Sequence, residues 1–194
     1  MKKFELTDVK KDFFGKVLFQ VRACVDIARF GVKKGDWGGF VEFEKNLSQD
    51  GDAWVYGDAQ VYSNARVYGD AWVSGDAWVS GDARVYGDAQ VYGDAWVSGD
   101  ARVYGDAWVY GDAWVSGDAW VYGNAQVSGD AWVYGDAWVS GDARVYGDAW
   151  VSGKLKLKSV LCSRFNFEFD WQVKLWQKKE AEFVKEVAKK LKRK

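Results

Sequence analysis

The residues with the chemistry for a functional site recur at a fixed spacing of six. Between Gly51 and Ser152 the second place of every six-residue unit is acidic or its amide, with 15 Asp and two Asn, Asn64 and Asn124. Carboxylate oxygens in such columns are ligands that Ca²⁺ accepts. Asx side chains also bond the backbone of tight turns, and salt screens exposed like charges. We favour the turn role, and predict no metal site and no cofactor.

Acid–base and nucleophilic catalysis have little support in the composition. The chain contains no histidine, and its two cysteines, Cys24 and Cys162, lie outside the repeated units. A thiol nucleophile needs a neighbouring base or positive charge to activate it. Two cysteines are also too few for a disulfide scaffold and lack the spacing of a zinc site. We therefore predict no catalytic residue, and a reducing, cytoplasmic location.

The elements that must position these residues follow from the repeat. From residue 51 to 152, 17 consecutive units such as GDAWVY, GDAQVY and GDARVY run without an insertion. Ala fills the third place and Val the fifth in every unit, so apolar residues alternate with the variable fourth residue, as in a half-buried strand. Gly and Asx tolerate positive φ at the break between units. The pattern predicts an all-β path of strands and corners.

This pattern resembles the hexapeptide-repeat left-handed β-helix family, in which an aliphatic residue is followed four positions later by a small inward residue. Val55 with Ala59 and Val61 with Ala65 have that spacing. The resemblance implies a single-stranded triangular parallel β-helix of about 18 residues per coil, so that 17 units make a little under six coils. A left-handed coil is favoured; a right-handed triangular solenoid, as in the filament-forming bactofilins, stays open.

A narrower resemblance concerns the segment before the repeat. VKKGDWGGFVEFEKNLSQ looks like the leader of prophage-encoded, non-enzymatic hexapeptide-repeat proteins. Acyltransferases of the wider family use a histidine as general base, and the related carbonic anhydrases bind metal through histidines. Neither chemistry is available to a chain without histidine, so we predict that this protein is not an enzyme.

The chain divides into three predicted segments: a small β-rich N-terminal cap (1–50), the β-helix (51–153) and a C-terminal cap of strands and an amphipathic helix (154–194). In the first, Val17, Phe19, Val21, Ala23 and Val25 are expected on one side of a strand. The last carries 13 basic against five acidic residues. A cap over the open end of the solenoid is favoured over a basic helix that seeks a membrane or nucleic acid.

The variable fourth place faces outward and holds ten Trp, four Arg and three Gln. With 18 residues per coil, one side of the rod aligns Gln60 with a Trp strip, which is the candidate binding surface: Trp78, Trp96, Trp114, Trp132 and Trp150. A second side aligns Arg66, Arg84, Arg102, Trp120 and Trp138, and the third is mixed. Aromatic stacks of this kind stabilise a thin Val and Ala core, and a contiguous exposed aromatic patch also marks a contact surface.

The sequence thus predicts a non-enzymatic structural or binding protein that presents a rigid, acidic and aromatic surface. The alternatives are a glycan-binding module that uses the Trp strip and a self-associating scaffold similar to bactofilins. The expected partner is a second copy or another protein, with carbohydrate as a further option. The repeat carries 15 Asp and four Arg, a net charge of −11 that argues against nucleic acid along the rod. No apolar stretch reaches the length of a membrane span.

Overall fold

The structure is a computed structural model that describes residues 1–158 without a gap and, beyond them, residues 161–162, 166–167, 172, 174–175, 178–179 and 182. Among these described residues, no helix is both long enough and apolar enough to cross a membrane.

Short strands make up most of the chain, and two 3₁₀ turns, Ala28–Phe30 and Glu44–Asn46, lie between the early ones. The strands are β1 (Phe4–Phe13), β2 (Lys16–Ala23), β3 (Trp37–Val41), β4 (Trp54–Val55), β5 (Gln60–Val61), β6 (Arg66–Val67), β7 (Trp72–Val73), β8 (Trp78–Val79), β9 (Arg84–Val85), β10 (Gln90–Tyr92), β11 (Trp96–Val97), β12 (Arg102–Tyr104), β13 (Trp108–Tyr110), β14 (Trp114–Val115), β15 (Trp120–Tyr122), β16 (Gln126–Val127), β17 (Trp132–Val133), β18 (Trp138–Ser140), β19 (Arg144–Val145), β20 (Trp150–Val151), β21 (Lys156–Lys158), β22 (Leu161–Cys162) and β23 (Asn166–Phe167).

The repeat coils into a three-sided parallel β-solenoid. Each strand of the repeat pairs with the strand three places further along the chain. This gives three sheets: β5-β8-β11-β14-β17-β20, β4-β7-β10-β13-β16-β19 and β6-β9-β12-β15-β18. Trp96 pairs with Trp78 on one side and Trp114 on the other, a step of 18 residues in each direction. The predicted parallel β-helix with about 18 residues per coil is confirmed, whereas its left-handedness stays a prediction.

The core is a column of small apolar side chains. All 17 Ala of the third place and all 17 Val of the fifth place have 0% exposure. Their alternation with the fourth residue therefore places them inside, as predicted. Backbone N–H groups of one coil donate to carbonyls of the next, as from Trp96 N to Ala113 O at 2.9 Å. The ladder and the narrow core together hold successive coils in register.

The corners require a left-handed backbone. Gly93 has a φ of +73°, and a Cβ built on it would lie 3.0 Å from the backbone nitrogen of Gly111, one coil further on. Ser63 is the exception among the corner residues, with a φ of +61°. A residue with a Cβ pays for this conformation with about 1–2 kcal/mol of strain.

The solenoid is longer than the regular repeat at both ends. Upstream, Phe40 of β3 pairs in parallel with Gln60, and Leu47 bridges Val67. Downstream, β21 pairs with β18, and β22 and β23 extend the other two sheets. The ladder therefore makes about seven coils rather than a little under six, because pairing needs only buried residues at the right places, and Leu155 and Leu157 supply them in GKLKLK.

The first 50 residues contain a hairpin that sequence patterning did not predict. β1 and β2 pair antiparallel, and the register shifts between Leu6 and Lys10. The expected face of β2 is wrong at its start, since Leu18 is fully buried while Val17 is exposed. A second shift, where β2 pairs with β3, lies between Gln20 and Arg22, and Val21 and Ala23 are buried as predicted. Because the register is irregular, the buried side chains at the start of β2 and those at its end lie at alternate positions of the strand.

Two glycines before the repeat lie in a strand. Gly38 and Gly39 belong to β3, which passes close to the first coil. A Cβ on Gly38 would lie 2.6 Å from the carbonyl oxygen of Val55, and one on Gly39 would lie 2.6 Å from that of Ala59. The sequence WGGF therefore permits a backbone approach that side chains would block.

Side chains from the N-terminal segment bond the open edge of the first coil. The buried Lys3 donates from Nζ to the carbonyls of Gly51 (3.1 Å) and Ala53 (2.8 Å). The buried Asn46 amide donates to the carbonyls of Ser63 (3.1 Å) and Ala65 (2.8 Å). In later coils the corresponding carbonyls accept hydrogen bonds from backbone N–H groups of the preceding coil, as Gly69 O does from Ala53 N. These two side chains supply donors that no upstream coil provides.

The C-terminal segment is described only in part. The alternation in LKLK after Gly153 and that of Phe165, Phe167 and Phe169 each predict a strand. The first is present as β21, and β23 covers two residues of the second. The predicted helix over 171–194 lies outside the described residues except for six separate positions with helical backbone.

Candidate functional site

The Trp strip occupies one side of the solenoid in the predicted order. Gln60 of β5 pairs with Trp78, and Trp78, Trp96, Trp114, Trp132 and Trp150 follow at one residue per coil. The second and third sides also have the predicted register, with Arg66, Arg84, Arg102, Trp120 and Trp138 on one, and Trp54, Trp72, Gln90, Trp108, Gln126 and Arg144 on the other. The structure therefore brings all five predicted site residues together.

The indoles of the strip stack on one another. Ring centroids lie 4.2 Å apart between Trp78 and Trp96, 4.6 Å between Trp96 and Trp114, 4.8 Å between Trp114 and Trp132, and 5.2 Å between Trp132 and Trp150. Rings this close cannot lie flat on the surface side by side, because an indole is wider than the gap. Neighbouring rings therefore cover much of each other's faces, and the strip presents mainly ring edges.

Exposure increases along the strip. Trp78, Trp96 and Trp114 are half-buried, whereas Trp132 and Trp150 are 37% and 42% exposed. The low exposure of Trp78 has a visible cause, because the tip of the β1–β2 hairpin covers this end of the strip. The Phe13 ring meets the Trp78 ring edge to face with centroids 4.5 Å apart.

Phe14 at the same hairpin tip is the functional candidate that sequence reasoning missed. Its side chain is 78% exposed, and its backbone has a φ of +47°, in the left-handed region. The ring lies 6.0 Å from that of Trp78, near perpendicular to it. The available signal was the pair Phe14–Gly15 in KDFFGK, because a Gly at such a place indicates a tight hairpin turn. It was overlooked because β1 was not predicted.

Exposed carboxylates border the strip on both sides. Asp76, Asp94 and Asp112 lie at the corner before it, and Asp82 and Asp100 are among those at the corner after it. The strip is thus an aromatic band between two acidic columns.

The Asp columns do not make the turn bonds that the sequence suggested. Among the described residues, the hydrogen bonds of corner carboxylates run between coils, as from Asp52 N to Asp70 Oδ1 (3.0 Å) and from Asn124 Nδ2 to Asp142 Oδ1 (3.0 Å). Arg29 bridges two coils through ion pairs to Asp70 and Asp88. Within the part of the chain that the structure describes, no three His, Cys, Asp or Glu side chains are grouped to hold a metal ion.

The second side combines guanidinium groups with a tyrosine ladder. Tyr68, Tyr86, Tyr104 and Tyr122 stack with centroids 4.8, 4.9 and 5.0 Å apart. Burial, with a smaller effect of the neighbouring Tyr86, raises the pKa of the Tyr68 and Tyr104 phenols above their ordinary value. Arg102 covers the ring of Trp120 at 4.7 Å, a cation–π contact. The Tyr68 and Tyr104 phenols therefore carry no charge at neutral pH, and the guanidinium groups are the charged groups of this side.

Thiol chemistry finds no support in the surroundings of Cys24. This cysteine is free and half-buried, and its Sγ has one weak contact, 4.0 Å from the carbonyl oxygen of Arg22. The side chain of Cys162 lies outside the described residues, although its backbone pairs with Val145 near the opposite end of the solenoid.

Comparison with known proteins supports the fold. A family model described as the YdcK beta solenoid repeat matches residues 59–75, 77–93, 83–105, 95–111, 125–141 and 137–153, which together cover less than half of the chain. The comparison with curated proteins gave no match. The matched segments are the ones that form the stacked coils, so the chain is a repeat β-helix protein, similar in these segments to the YdcK beta solenoid repeat.

Proposed function

We propose that the protein is a non-enzymatic structural or binding protein whose contact surface is the Trp strip. The observation that carries this proposal is the alignment of five indoles on one side of a rigid rod, with the last two more than a third exposed. Most soluble monomers avoid aromatic patches of this size. A rod with a core of identical coils holds such a band straight, so the strip is a preformed surface for another macromolecule.

The stacking geometry favours a protein partner over a glycan. Sugar rings pack on the open face of an aromatic ring, and the faces within the strip lie against each other at 4.2–5.2 Å. Ring edges instead form a ribbed apolar surface, which suits side chains that fit between ribs. A second copy of the chain provides the matching ribs. The first candidate function is therefore self-association, as in a scaffold similar to bactofilins.

A glycan-binding role is the second candidate, and Phe14 is the observation that favours it. This ring is 78% exposed, its left-handed backbone costs about 1–2 kcal/mol, and it lies at the head of the strip. Strained, exposed residues of this kind cluster at functional sites. A single open ring supports binding of the end of a glycan rather than of a glycan that lies along the rod.

The lack of histidine and the uninterrupted coils support a role without catalysis or cofactors. A prophage origin, from the likeness of the segment before the repeat, and a cytoplasmic location, from the low cysteine content, belong to the same proposal.

Size-exclusion chromatography with light scattering tests the contact surface. The strip variant replaces Trp96, Trp114 and Trp132 with Gln, a residue that the repeat uses at the same place. The control variant replaces Trp108, Trp120 and Trp138, which lie on the other two sides. We expect the wild type and the control to form a dimer or larger species at about 1 M salt, where carboxylate repulsion between the bordering columns is screened. The strip variant is expected to stay monomeric.

Each outcome has a fixed meaning. A wild type that is monomeric at both about 0.1 M and about 1 M salt contradicts self-association. Equal loss of the dimer in both variants shows that the strip is not the contact. If a glycan array then binds the wild type, and Phe14→Ser abolishes that binding, the glycan function replaces the first proposal. If the strip variant differs from the wild type only in thermal stability, the strip is structural.

A further inference from the structure

One unit of the repeat differs from all others. GNAQVS, residues 123–128, is the only one of the 17 units with no aromatic residue at either its fourth or its sixth place. It also has Asn124 where 15 of the units have Asp. This unit forms β16 on the third side of the solenoid, between the coils of β13 and β19.

The sixth places on this side form a tyrosine ladder that lacks one ring at Ser128. Tyr92 and Tyr110 stack with centroids 5.0 Å apart and planes within 4° of parallel. Ser128 follows one coil later and Tyr146 one coil after that. Two coil spacings are about 9.6 Å, so a planar ring halfway would lie about 4.8 Å from each tyrosine. That separation matches those within the complete ladder of Tyr68, Tyr86, Tyr104 and Tyr122.

Three ladder tyrosines, Tyr92, Tyr104 and Tyr122, have a perpendicular contact with a Trp ring of the next coil, and Tyr110 does not. Tyr92 meets the edge of Trp108 at 6.4 Å, and Tyr104 meets Trp120 at 6.2 Å. The corresponding residue beyond Tyr110 is Gln126, which has no ring. Tyr110, Gln126, Ser128, Arg144 and Tyr146 line a groove of about 440 Å³ at this point.

The same side contains a second missing tyrosine, at Ser74, and there other aromatic residues of the chain pack beside the gap. Trp72 stacks on Tyr56 with centroids 5.7 Å apart and planes at 25°, and the Phe30 ring packs on Trp72 at 4.5 Å. At this break the tyrosine that borders it, Tyr56, is therefore stacked against another aromatic ring of the chain. At Ser128 the sequence supplies none.

The charge around the groove favours an anion. Arg144 is exposed, and among the described residues its guanidinium makes no ion pair, in contrast to Arg29. Asn124 removes one carboxylate from the bordering corner column and donates its amide to Asp142. The groove thus has a cationic wall in a repeat whose net charge is strongly negative.

We propose that the groove at Ser128 binds a planar aromatic carboxylate, whose ring completes the stack between Tyr110 and Tyr146 and whose carboxylate pairs with Arg144. Gln126 lies in the same strand as a hydrogen-bonding group for a ring substituent. This site is on a different side of the rod from the Trp strip and does not depend on the function proposed for the strip.

The probe is 4-hydroxybenzoate, a carboxylated ring of tyrosine size, and binding is measured by ligand-observed NMR at millimolar concentration. Ser128→Tyr fills the gap with a residue that follows Gln-Val elsewhere in the repeat, as at Tyr92. We expect binding by the wild type and by Ser128→Ala, loss of binding in Ser128→Tyr, and at least a tenfold weaker affinity in Arg144→Gln. Cyclohexanecarboxylate, which has the charge without the planar ring, is expected not to bind.

Thermal unfolding gives a second, ligand-free readout. Ser128→Tyr gains two ring stacks and should raise the midpoint by about 2–12 °C. The matched control is Ser98→Tyr, whose neighbours one coil away are Ser80 and Ser116, so that it gains no tyrosine stack. No binding by the wild type, unchanged binding by Ser128→Tyr, or an equal midpoint shift in the two tyrosine variants would each overturn the proposal.

Discussion

Two tryptophans of the rod form a matched pair that isolates the contribution of stacking. Trp132 and Trp108 lie in identical units, GDAWVY, and are 37% and 38% exposed. Trp132 stacks on Trp114 at 4.8 Å and on Trp150 at 5.2 Å, whereas Trp108 has one edge contact with Tyr92 at 6.4 Å. Replacing each with Gln removes the same side chain from the same local backbone, but only Trp132→Gln breaks two stacks.

A stacked aromatic pair contributes about 0.5–1.5 kcal/mol beyond the area that it buries. Trp132→Gln should therefore lower the free energy of unfolding by about 1–3 kcal/mol more than Trp108→Gln does. For a chain of this length that difference corresponds to about 2–12 °C in the unfolding midpoint. Urea titration followed by far-UV circular dichroism measures it independently. Equal losses in the two variants would refute the idea that the strip stabilises the rod through ring stacking.

Three further predictions concern the corner, the first coil and catalysis. Ser63→Gly should stabilise the protein by about 1 kcal/mol, because it removes a Cβ from a residue with positive φ. Gly81→Ser, one coil later in the same column, should destabilise the protein by at least as much. Chemical denaturation of both variants measures the two changes. Burial lowers the pKa of Lys3 from 10.5 to about 8. Between pH 8 and pH 10.5 the unfolded chain therefore binds a proton that the folded chain has released. The free energy of unfolding should rise by about 1.5 kcal/mol from pH 8 to pH 9.5. Lys3→Met should abolish that pH slope, and a slope that persists would mean that another group causes it. Incubation with acyl-CoA donors and sugar or amine acceptors should give no transfer product, and measurable turnover would contradict a role without catalysis.

The repeat allowed the solenoid and its columns to be predicted because the fold uses one local rule many times. Inward Ala and Val, corner glycines and the 18-residue step all follow from the spacing within a unit, and the structure confirms them. The five residues of the Trp strip were predicted for the same reason, since register alone places them. Their ring orientation was not predictable from register, because stacking depends on how neighbouring side chains share space.

The errors fall where the chain departs from that rule. β1 was missed and the start of β2 was assigned to the wrong face, since two register shifts interrupt the alternation that patterning relies on. Gly38 and Gly39 permit a close strand approach that only tertiary structure reveals. The GKLKLK unit was read as a separate strand because Leu replaces both Ala and Val, although its buried positions match the repeat.

The step of three units per coil also limits how such a chain can change in length. Any single unit is locally equivalent to any other, so the gain or loss of one would leave the Ala and Val core intact. It would nevertheless rotate every downstream residue by a third of a turn, and Trp132 would no longer follow Trp114. Only duplications or deletions in multiples of 18 residues keep the phase, so that a gene of this kind can lengthen its aromatic strip one whole coil at a time.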